Sequence, residues 1–488
     1  MSDVDVVIAG GGPVGLMLAG ELGLAGVGAL VLERAAERDE HSRAWGLHPR
    51  TAETLDRRGL LAGLLHERAT WPKMPFAGMW PLLDLSAMRD CDHPYLVNVP
   101  QTRVEEVLAA RAARVGAEVR RGHEVTGLAQ HDDGVDVEVA GPGGAYRVRG
   151  RFLVGCDGGR SAVRKLAGIG FPGSDATVAG MLCDCTLPTM RQERRGITRT
   201  GRGTVNLNPR PNGQVRVVVT EFDRPHADRD APVALPEFAA AVTRVLGREL
   251  RIEEPTWFTR FGDTCRQADR YRAGRVLLAG DAAHVHFPYG GLGLNLGLQD
   301  AVNLGWKLAA EVAGHAPAGL LDTYQAERYP VAEGVLDYSR TQLALLHPHR
   351  NVTALRGLVQ RLLEFPEVNR FLAELVTGVA LRLDLGEEGA HPLVGALATD
   401  LRLESADGHT TLVELLRAGT GVLVDFTQSG AHAETARPWE PRVQVRVARA
   451  DAPPAAALLV RPDGYVAWAA TDGRSDGPRA ALERWFGT

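Results

Sequence analysis

The sequence predicts an α/β protein: a Rossmann-like dinucleotide-binding domain, interrupted by an inserted β-sheet domain and followed by a smaller α/β unit. Three observations predict it. Gly10-x-Gly12-x-x-Gly15 lies between an apolar run and a helical pattern near the N-terminus. A block of short alternating strands from about 175 to 270 separates this start from a second buried-strand pattern at Arg275–Ala279. Beyond His391-Pro392 the strand and helix signals begin again on a smaller scale.

Taken in order, Val4–Ala9 is a continuous apolar run, as a strand buried on both faces requires. Pro13–Leu24 carries apolar residues at helical spacing and stops at Gly26. Ala29–Leu32 is a second buried strand ending at Glu33. Val104–Val115 is helical; Glu118–Arg120, Glu124–Ala129 and Val135–Ala140 are strands, and Gly141-Pro142-Gly143-Gly144 turns the last of them into Tyr146–Val154. In the middle block Gln214–Thr220 and Thr256–Phe261 are strands around a helix at Leu235–Val245. Helical pattern then dominates at Asn295–Val312, Leu320–Leu346 and Val352–Arg382. The last unit reads helix Leu412–Arg417, strands Val422–Phe426, Val443–Val447, Leu458–Val460 and Tyr465–Ala469, and a closing helix Ala480–Phe486. The boundaries expected are 1–174 and 271–385 for the two parts of the first domain, 175–270 for the insert and 386–488 for the last unit.

Composition narrows the function. The chain has 488 residues, 45% hydrophobic and 24% charged, enough to bury several cores and too apolar for a disordered chain. A net charge of -5 gives no basic excess for nucleic acid or an anionic membrane, so neither is expected as a partner. Five cysteines in this length argue against a disulfide scaffold. The N-terminus lacks a basic region followed by an apolar core, and no stretch reaches the ~20 apolar residues of a membrane span, so a cytoplasmic location is expected.

The motifs point to a flavin. Gly10 permits a tight turn, Gly12 lets a pyrophosphate approach the backbone, and Gly15 lets helix pack on strand; Pro13 and Val14 open that helix, whose dipole favours phosphate. Glu33 is placed to accept hydrogen bonds from ribose hydroxyls, and its charge disfavours a 2′-phosphate. Two further strand ends carry carboxylates: Asp157-Gly158, after Leu153–Gly155, and Gly280-Asp281, after Arg275–Ala279. A carboxylate at the second position suits the ribityl hydroxyls of FAD. His284 and His286 lack a third ligand, so no metal site is expected.

With these motifs in this order the chain resembles the group A FAD-dependent aromatic hydroxylases, similar to para-hydroxybenzoate hydroxylase in the flavin domain. It is closer to the angucycline and anthracycline polyketide hydroxylases and the rifampicin monooxygenases. Ser42-Arg43-Ala44, Pro100-Gln101 with Glu105, Gly262-Asp263, Arg266-Gln267-Ala268 and Leu459–Trp468 carry the same likeness. The resemblance implies a Rossmann-like FAD-binding domain, an inserted β-sheet substrate domain and a C-terminal thioredoxin-like domain, here without cysteine. It implies FAD as cofactor, NADPH or NADH as transient co-substrate, O2, and an aromatic polyketide or phenolic antibiotic hydroxylated through a flavin C4a-hydroperoxide. Baeyer–Villiger oxygen insertion and a non-catalytic flavin- or polyketide-binding homologue are the alternatives, and the chain is expected as a monomer or homodimer.

The same resemblance assigns residues. Arg43 is placed near the flavin pyrophosphate, with sensing of the nicotinamide cofactor as its alternative catalytic role, Gln101 against the flavin, Arg34 near adenine and Val125 at adenine through its backbone. Pro288, Gly291 and Gly293 form the turn beside the flavin ring, with the Leu294 and Asn295 amides as donors to negative charge on the reduced ring. Leu292 stands where the family usually has Gln, removing a polar side chain there. Trp257, Phe258, Phe261 and Tyr289 are the candidates for the substrate pocket.

Overall fold

The computed structural model describes residues 3–65, 70–210, 212–224, 231–386, 391–427, 429–470 and 477–488. The predicted linker falls partly on 387–390, outside the described residues.

The first domain begins with β1 (Val4–Ala9), α1 (Pro13–Leu24) and β2 (Ala29–Glu33), as the apolar pattern predicts. Next come α2 (Pro49–Asp56), α3 (Gln101–Arg114), β3 (Glu118–Arg121), and the antiparallel run β4 (Glu124–His131), β5 (Gly134–Gly141) and β6 (Gly144–Gly155). The insert consists of β7 (Ala179–Thr186), β8 (Gly196–Thr200), β9 (Gly203–Pro209), β10 (Val215–Glu221), α4 (Leu235–Leu246) and β11 (Glu253–Phe261). The chain returns to the first domain through β12 (Val276–Leu278) and continues into α5 (Leu292–Ala313), α6 (Thr323–Leu346), α7 (Arg350–Leu362) and α8 (Pro366–Thr377).

Parallel pairing of β12 on β6, β6 on β1, β1 on β2 and β2 on β3 builds the central sheet. Val6, Val7 and Ile8 are wholly buried in it. The carboxyl ends of β1, β2, β6 and β12 deliver Gly10, Glu33, Asp157 and Asp281 to one edge, where ligands of such sheets bind. Helix α5 lies against α1, and Gly297 and Gly305 allow the approach: side chains there would press on Val14 and Glu21.

The insert is a five-stranded antiparallel sheet in the order β8-β9-β10-β7-β11. One face packs on α4 through Cys183, Cys185, Val205, Val217 and Phe238. The other face carries Thr204, Asn206, Arg216 and Trp257 toward the first domain, following the two-residue period of strands.

The last unit forms a four-stranded sheet from β13 (Gly421–Asp425), β14 (Val443–Val447), β15 (Ala457–Val460) and β16 (Val466–Ala470), closed by α9 (Arg479–Phe486). Its order is β14-β13-β15-β16, with β13 and β14 parallel and the remaining pairs antiparallel, the topology of a thioredoxin core. All five cysteines lie at or before Cys265. Among the described residues no helix is long and apolar enough to cross a membrane.

One expected element is corrected. The single helix read from Val352 to Arg382 is two helices, α7 and α8, broken at Phe365-Pro366. Proline excludes its predecessor from helical backbone and instead opens α8.

Candidate active site

The phosphate end of the site is built by backbone. Gly10 has φ +107°, and a Cβ there would collide with the Cys156 carbonyl; a Cβ on Gly15 would collide with the Gly10 carbonyl oxygen. Gly12, by contrast, faces open space, with nothing within 4 Å of the position of its missing Cβ. It is the N-cap of α1, and no side chain caps that terminus. The first-turn N–H groups are thus left for an anion. Glu33 is held by two backbone donors, Gly11 N–H at 2.7 Å and Ala35 N–H at 2.8 Å. Each carboxylate oxygen keeps lone pairs for ribose hydroxyls. Arg34 is exposed beside it. The His123 N–H bonds the Glu33 carbonyl at 2.9 Å, which sets the 123–125 backbone, with buried Val125, beside the same strand end.

Asp157 serves two purposes. Its Oδ2 accepts from the N–H groups of Ala162 and Val163 at 2.7 and 3.1 Å, capping the short helix Ala162–Leu166. Its Oδ1 is buried without a partner, an acceptor awaiting a donor. Gly158, at φ +80°, turns the chain away from it. Asp281 is exposed at the end of β12. A Cβ built on Gly293 would lie 3.6 Å from both Asp281 Oδ1 and His286 Nε2, so these groups converge at the start of α5. The His286 Nδ1–H donates to the Phe287 carbonyl at 2.8 Å, Nε2 is buried and unpartnered, and burial lowers its pKa. An unpaired carboxylate oxygen, an unpaired imidazole nitrogen and an open helix terminus suit the hydroxyl-rich ribityl diphosphate of FAD.

The neighbouring His284 is committed elsewhere. Its Nε2 lies 2.7 Å from Asp300, which also accepts from the Gly280 N–H and from Arg328. Burial raises the Asp300 pKa, but Arg328 and His284 outweigh it and hold the carboxylate low. This buried cluster pins the Gly280-Asp281 turn.

The turn before α5 is shaped by Gly290 (φ +83°) and Gly291 (φ +68°), with Pro288 exposed. The helix starts at Leu292, so Leu294 lies in its first turn, where N–H groups have no acceptor within the helix. Asn295 is buried, and its side chain is a clasp: Oδ1 accepts from the His48 N–H at 2.7 Å, and Nδ2 donates to Gly291 at 2.7 Å and Gly46 at 3.4 Å. The His48 Nε2–H in turn donates to the Gly290 carbonyl at 2.8 Å. Sequence reading missed His48, whose partners lie more than 240 residues away.

Burial lowers the His48 pKa from 6.5 to about 4. The unfolded chain therefore takes up its proton first as pH falls. Stability contributed by neutral His48 is complete above pH 6.5 and is lost as pH falls through about 4, amounting to about 3 kcal/mol at most. Urea unfolding at pH 7, 5.5 and 4.5 is expected to show this slope, and His48→Gln to flatten it.

Leu292 does not face a polar site. It packs in a cluster with Met74, Phe76, Leu345 and Leu346. The Gln342 carboxamide reaches the adjacent Gly290 instead, with its Nε2 buried and unpartnered. Leu292→Gln is expected to destabilise the fold by about 2 kcal/mol, because a carboxamide would enter an apolar cluster. Thermal unfolding measures it.

Arg43 is exposed, and Gln101 bridges the Ala44 N–H (3.3 Å) to Glu105 (2.8 Å). The insert holds this loop through Arg216. That residue pairs with Asp184 at 2.8 and 2.6 Å and donates to the Ser42 and Arg43 carbonyls. Trp257 stacks on His41 at 5.3 Å and lies under Arg216. Phe261 meets Phe287 at 5.8 Å, and Phe287 stacks on Tyr289 at 4.8 Å, whose hydroxyl is 3.2 Å from Thr204. Trp257, Phe261 and Tyr289 thus share the face toward the first domain. Phe258 does not. Strand alternation turns it to the other face, where it packs edge-on against Phe238 of α4 at 5.7 Å, so it is core.

A dinucleotide cradle, an open helix terminus at a glycine turn and an aromatic-walled cleft under an inserted sheet define a flavoprotein monooxygenase. The FAD binding domain family matches residues 3–339, and the family described as aromatic-ring hydroxylase, C-terminal, matches residues 391–488. The chain belongs to the FAD-dependent aromatic-ring hydroxylases. The solved structure of an anhydrotetracycline hydroxylase from Streptomyces rimosus is similar, with TM-score 0.93 and 46% identity, covering 99% of each chain. A rifampicin monooxygenase from Streptomyces venezuelae is 44% identical, covering 99% of this chain and 98% of its own. A dialkyldecalin synthase from Streptomyces rugosporus is 41% identical, covering 100% and 99%.

Proposed function

We propose that this protein hydroxylates an aromatic polyketide or related phenolic antibiotic, using NADPH or NADH and O2, as a monomer or homodimer in the cytoplasm. The observation that carries the reading is the cleft between the cofactor edge and the inner face of the insert. Trp257, Phe261 and Tyr289 are partly exposed along it, backed by the buried Phe287 and Thr204, with Asn206 and Arg216 on the same face of the insert. Flat aromatic walls with scattered polar groups suit a flat, oxygenated polycycle. The anhydrotetracycline and rifampicin relatives agree with that substrate class.

Bound FAD supplies hydride acceptance and oxygen activation. The chain positions it. The α1 terminus and Gly12 would hold the diphosphate, Glu33 the ribose, and Asp281, Asp157 and His286 the ribityl hydroxyls. The first-turn amides of α5 would hold the flavin ring and, with the helix dipole, favour negative charge there. The inserted sheet covers the cleft and excludes water.

The test is turnover of the yellow protein with anhydrotetracycline and rifampicin under 18O2. The expected result is substrate-stimulated NAD(P)H oxidation and one 18O atom in the product. Carbon NMR of the product separates a new hydroxyl from an oxygen inserted in the ring. The dialkyldecalin synthase and a solved Diels-Alderase structure, 38% identical, support a second reading, cycloaddition without net oxidation. A product of unchanged mass formed without NAD(P)H or O2 would establish it and overturn hydroxylation.

A further inference from the structure

On the inner face of the insert Arg199 is held by the Leu346 and His347 carbonyls and Thr353, while Arg216 and Arg210 face the Ser42–Trp45 loop. Arg216 is paired with Asp184 through two hydrogen bonds. Arg210, just past the end of β9, makes no side-chain hydrogen bond among the described residues, and Asp184, already paired with Arg216, acts on it only through its charge. The Arg210 guanidinium carbon sits 4.1 Å from the centre of the Trp45 ring, and its Nε is buried without a partner. Burial and the neighbouring Arg216 lower its pKa to about 9. A half-buried guanidinium with no hydrogen-bond acceptor of its own is costly, and stacking on an aromatic face offsets only part of that cost.

Its location is informative. Trp45 precedes Gly46, whose carbonyl accepts from Asn295 at the start of α5. Arg210 therefore lies by the loop that borders the flavin turn. Asn206, on β9, lies on the same face as Arg210 by strand alternation, and its Oδ1 is also buried without a partner. This stretch thus presents a guanidinium with no acceptor beside an amide oxygen with no donor.

We propose that Arg210, held on Trp45, binds an anionic oxygen of the substrate, a phenolate or the enolate of a 1,3-dicarbonyl, and so selects and orients phenolic substrates. The assignment rests on the reading of the cleft as a substrate chamber. Phenolate is also the electron-rich form that accepts an electrophilic oxygen, so the same contact serves orientation and reactivity. Arg210 is a specificity residue; the charge it matches belongs to the substrate and not to the diphosphate, which has its own cradle at α1.

The test uses the FAD-loaded protein and two probe pairs. 2-Hydroxy-1,4-naphthoquinone, an oxyanion at neutral pH, is compared with its 2-methoxy ether, and anhydrotetracycline with an O-methylated derivative. Wild type is expected to prefer each ionisable member. Arg210→Gln is expected to raise the Kd of that member roughly 10- to 100-fold and to leave the ether within about 2-fold. Arg210→Lys should restore part of the loss. FAD content, circular dichroism and the KM for NADPH and NADH are expected to stay at wild-type values. Equal losses for anion and ether, absence of any anion preference in wild type, or a KM change confined to the dinucleotide would overturn the assignment. Binding of the naphthoquinone anion without anhydrotetracycline binding would reject the polyketide reading while supporting Arg210.

Discussion

Gly15→Ala is expected to yield a protein that purifies without yellow colour. The effect is steric. Gly15 lies in the first turn of α1, packed on the Gly10 carbonyl, so a methyl group there must push the helix off β1 or distort the turn at Gly10. That turn cannot absorb the change. Gly10 already has φ +107° and is pressed against Cys156 and Asp157 of the neighbouring strand end. Overpacking and backbone strain of this kind cost about 2–4 kcal/mol, which in cofactor binding is roughly 30- to 1,000-fold in Kd. The α1 amides would also lose their aim at the diphosphate. Flavin fluorescence titration of apoprotein measures the affinity. The contrasting variant is Gly12→Ala, whose Cβ meets nothing in the protein. It is expected to fold as wild type and to lose FAD only through contact with the diphosphate. Equal FAD affinity in Gly15→Ala and wild type would refute this role for the glycine.

Much of this site was legible because its constraints are local. A parallel strand buried on both faces reads as an apolar run, and a pyrophosphate turn needs glycine at fixed offsets, so β1, α1, β2 and Glu33 could be placed from sequence. Asp157 and Asp281 were legible for the same reason, as carboxylates at strand ends. The clasp between His48 and Asn295 was not, because it joins a loop to a helix 247 residues away. Helix α2 was missed because its sequence, Pro-Arg-Thr-Ala-Glu-Thr-Leu-Asp, has no apolar stripe. It is buried through ion pairs such as Arg50–Glu53 at 2.6 Å. Phe258 was misread because an aromatic residue on a strand does not reveal which face is covered. That depends on where α4 packs. Arg210 left no sequence signal at all, since an arginine in a turn is ordinarily solvated.

The junction between the last unit and the flavin domain gives the other large effect. Arg461, wholly buried in the β15–β16 turn, donates two hydrogen bonds of 2.8 Å to Glu327 on α6 and two more to Asp463. Lys307 on α5 lies 2.9 Å from Glu327, and Asn303 and Trp306 donate to Asp463. Two cations and two anions balance in an apolar setting of Trp306 and Trp485. Burial opposes ionisation of Glu327, but Arg461 and Lys307 hold its carboxyl well below the usual range. Its contribution is thus present above the ordinary glutamate pKa and lost as pH falls through the lower folded value. Burial lowers the Lys307 pKa to about 8, so the lysine is the network's weakest charge.

Arg461→Met leaves two buried carboxylates facing one ammonium. The expected cost is about 3–5 kcal/mol, a fall in Tm of roughly 3–5 °C for a chain of 488 residues. The charge-balanced pair Arg461→Met with Asp463→Asn should cost less than the single change, because no carboxylate is stranded. A double variant less stable than Arg461→Met would refute the charge-balance account. Both Asn295, at the flavin turn, and Lys307 lie on α5, so loosening the junction acts on the helix that faces the flavin. Arg461→Met is therefore expected to release FAD at a lower temperature than wild type, with flavin fluorescence rising together with the unfolding of the last unit. This gives a thioredoxin-like domain without cysteine a mechanical role: it clamps the far half of the helix whose first turn serves the cofactor.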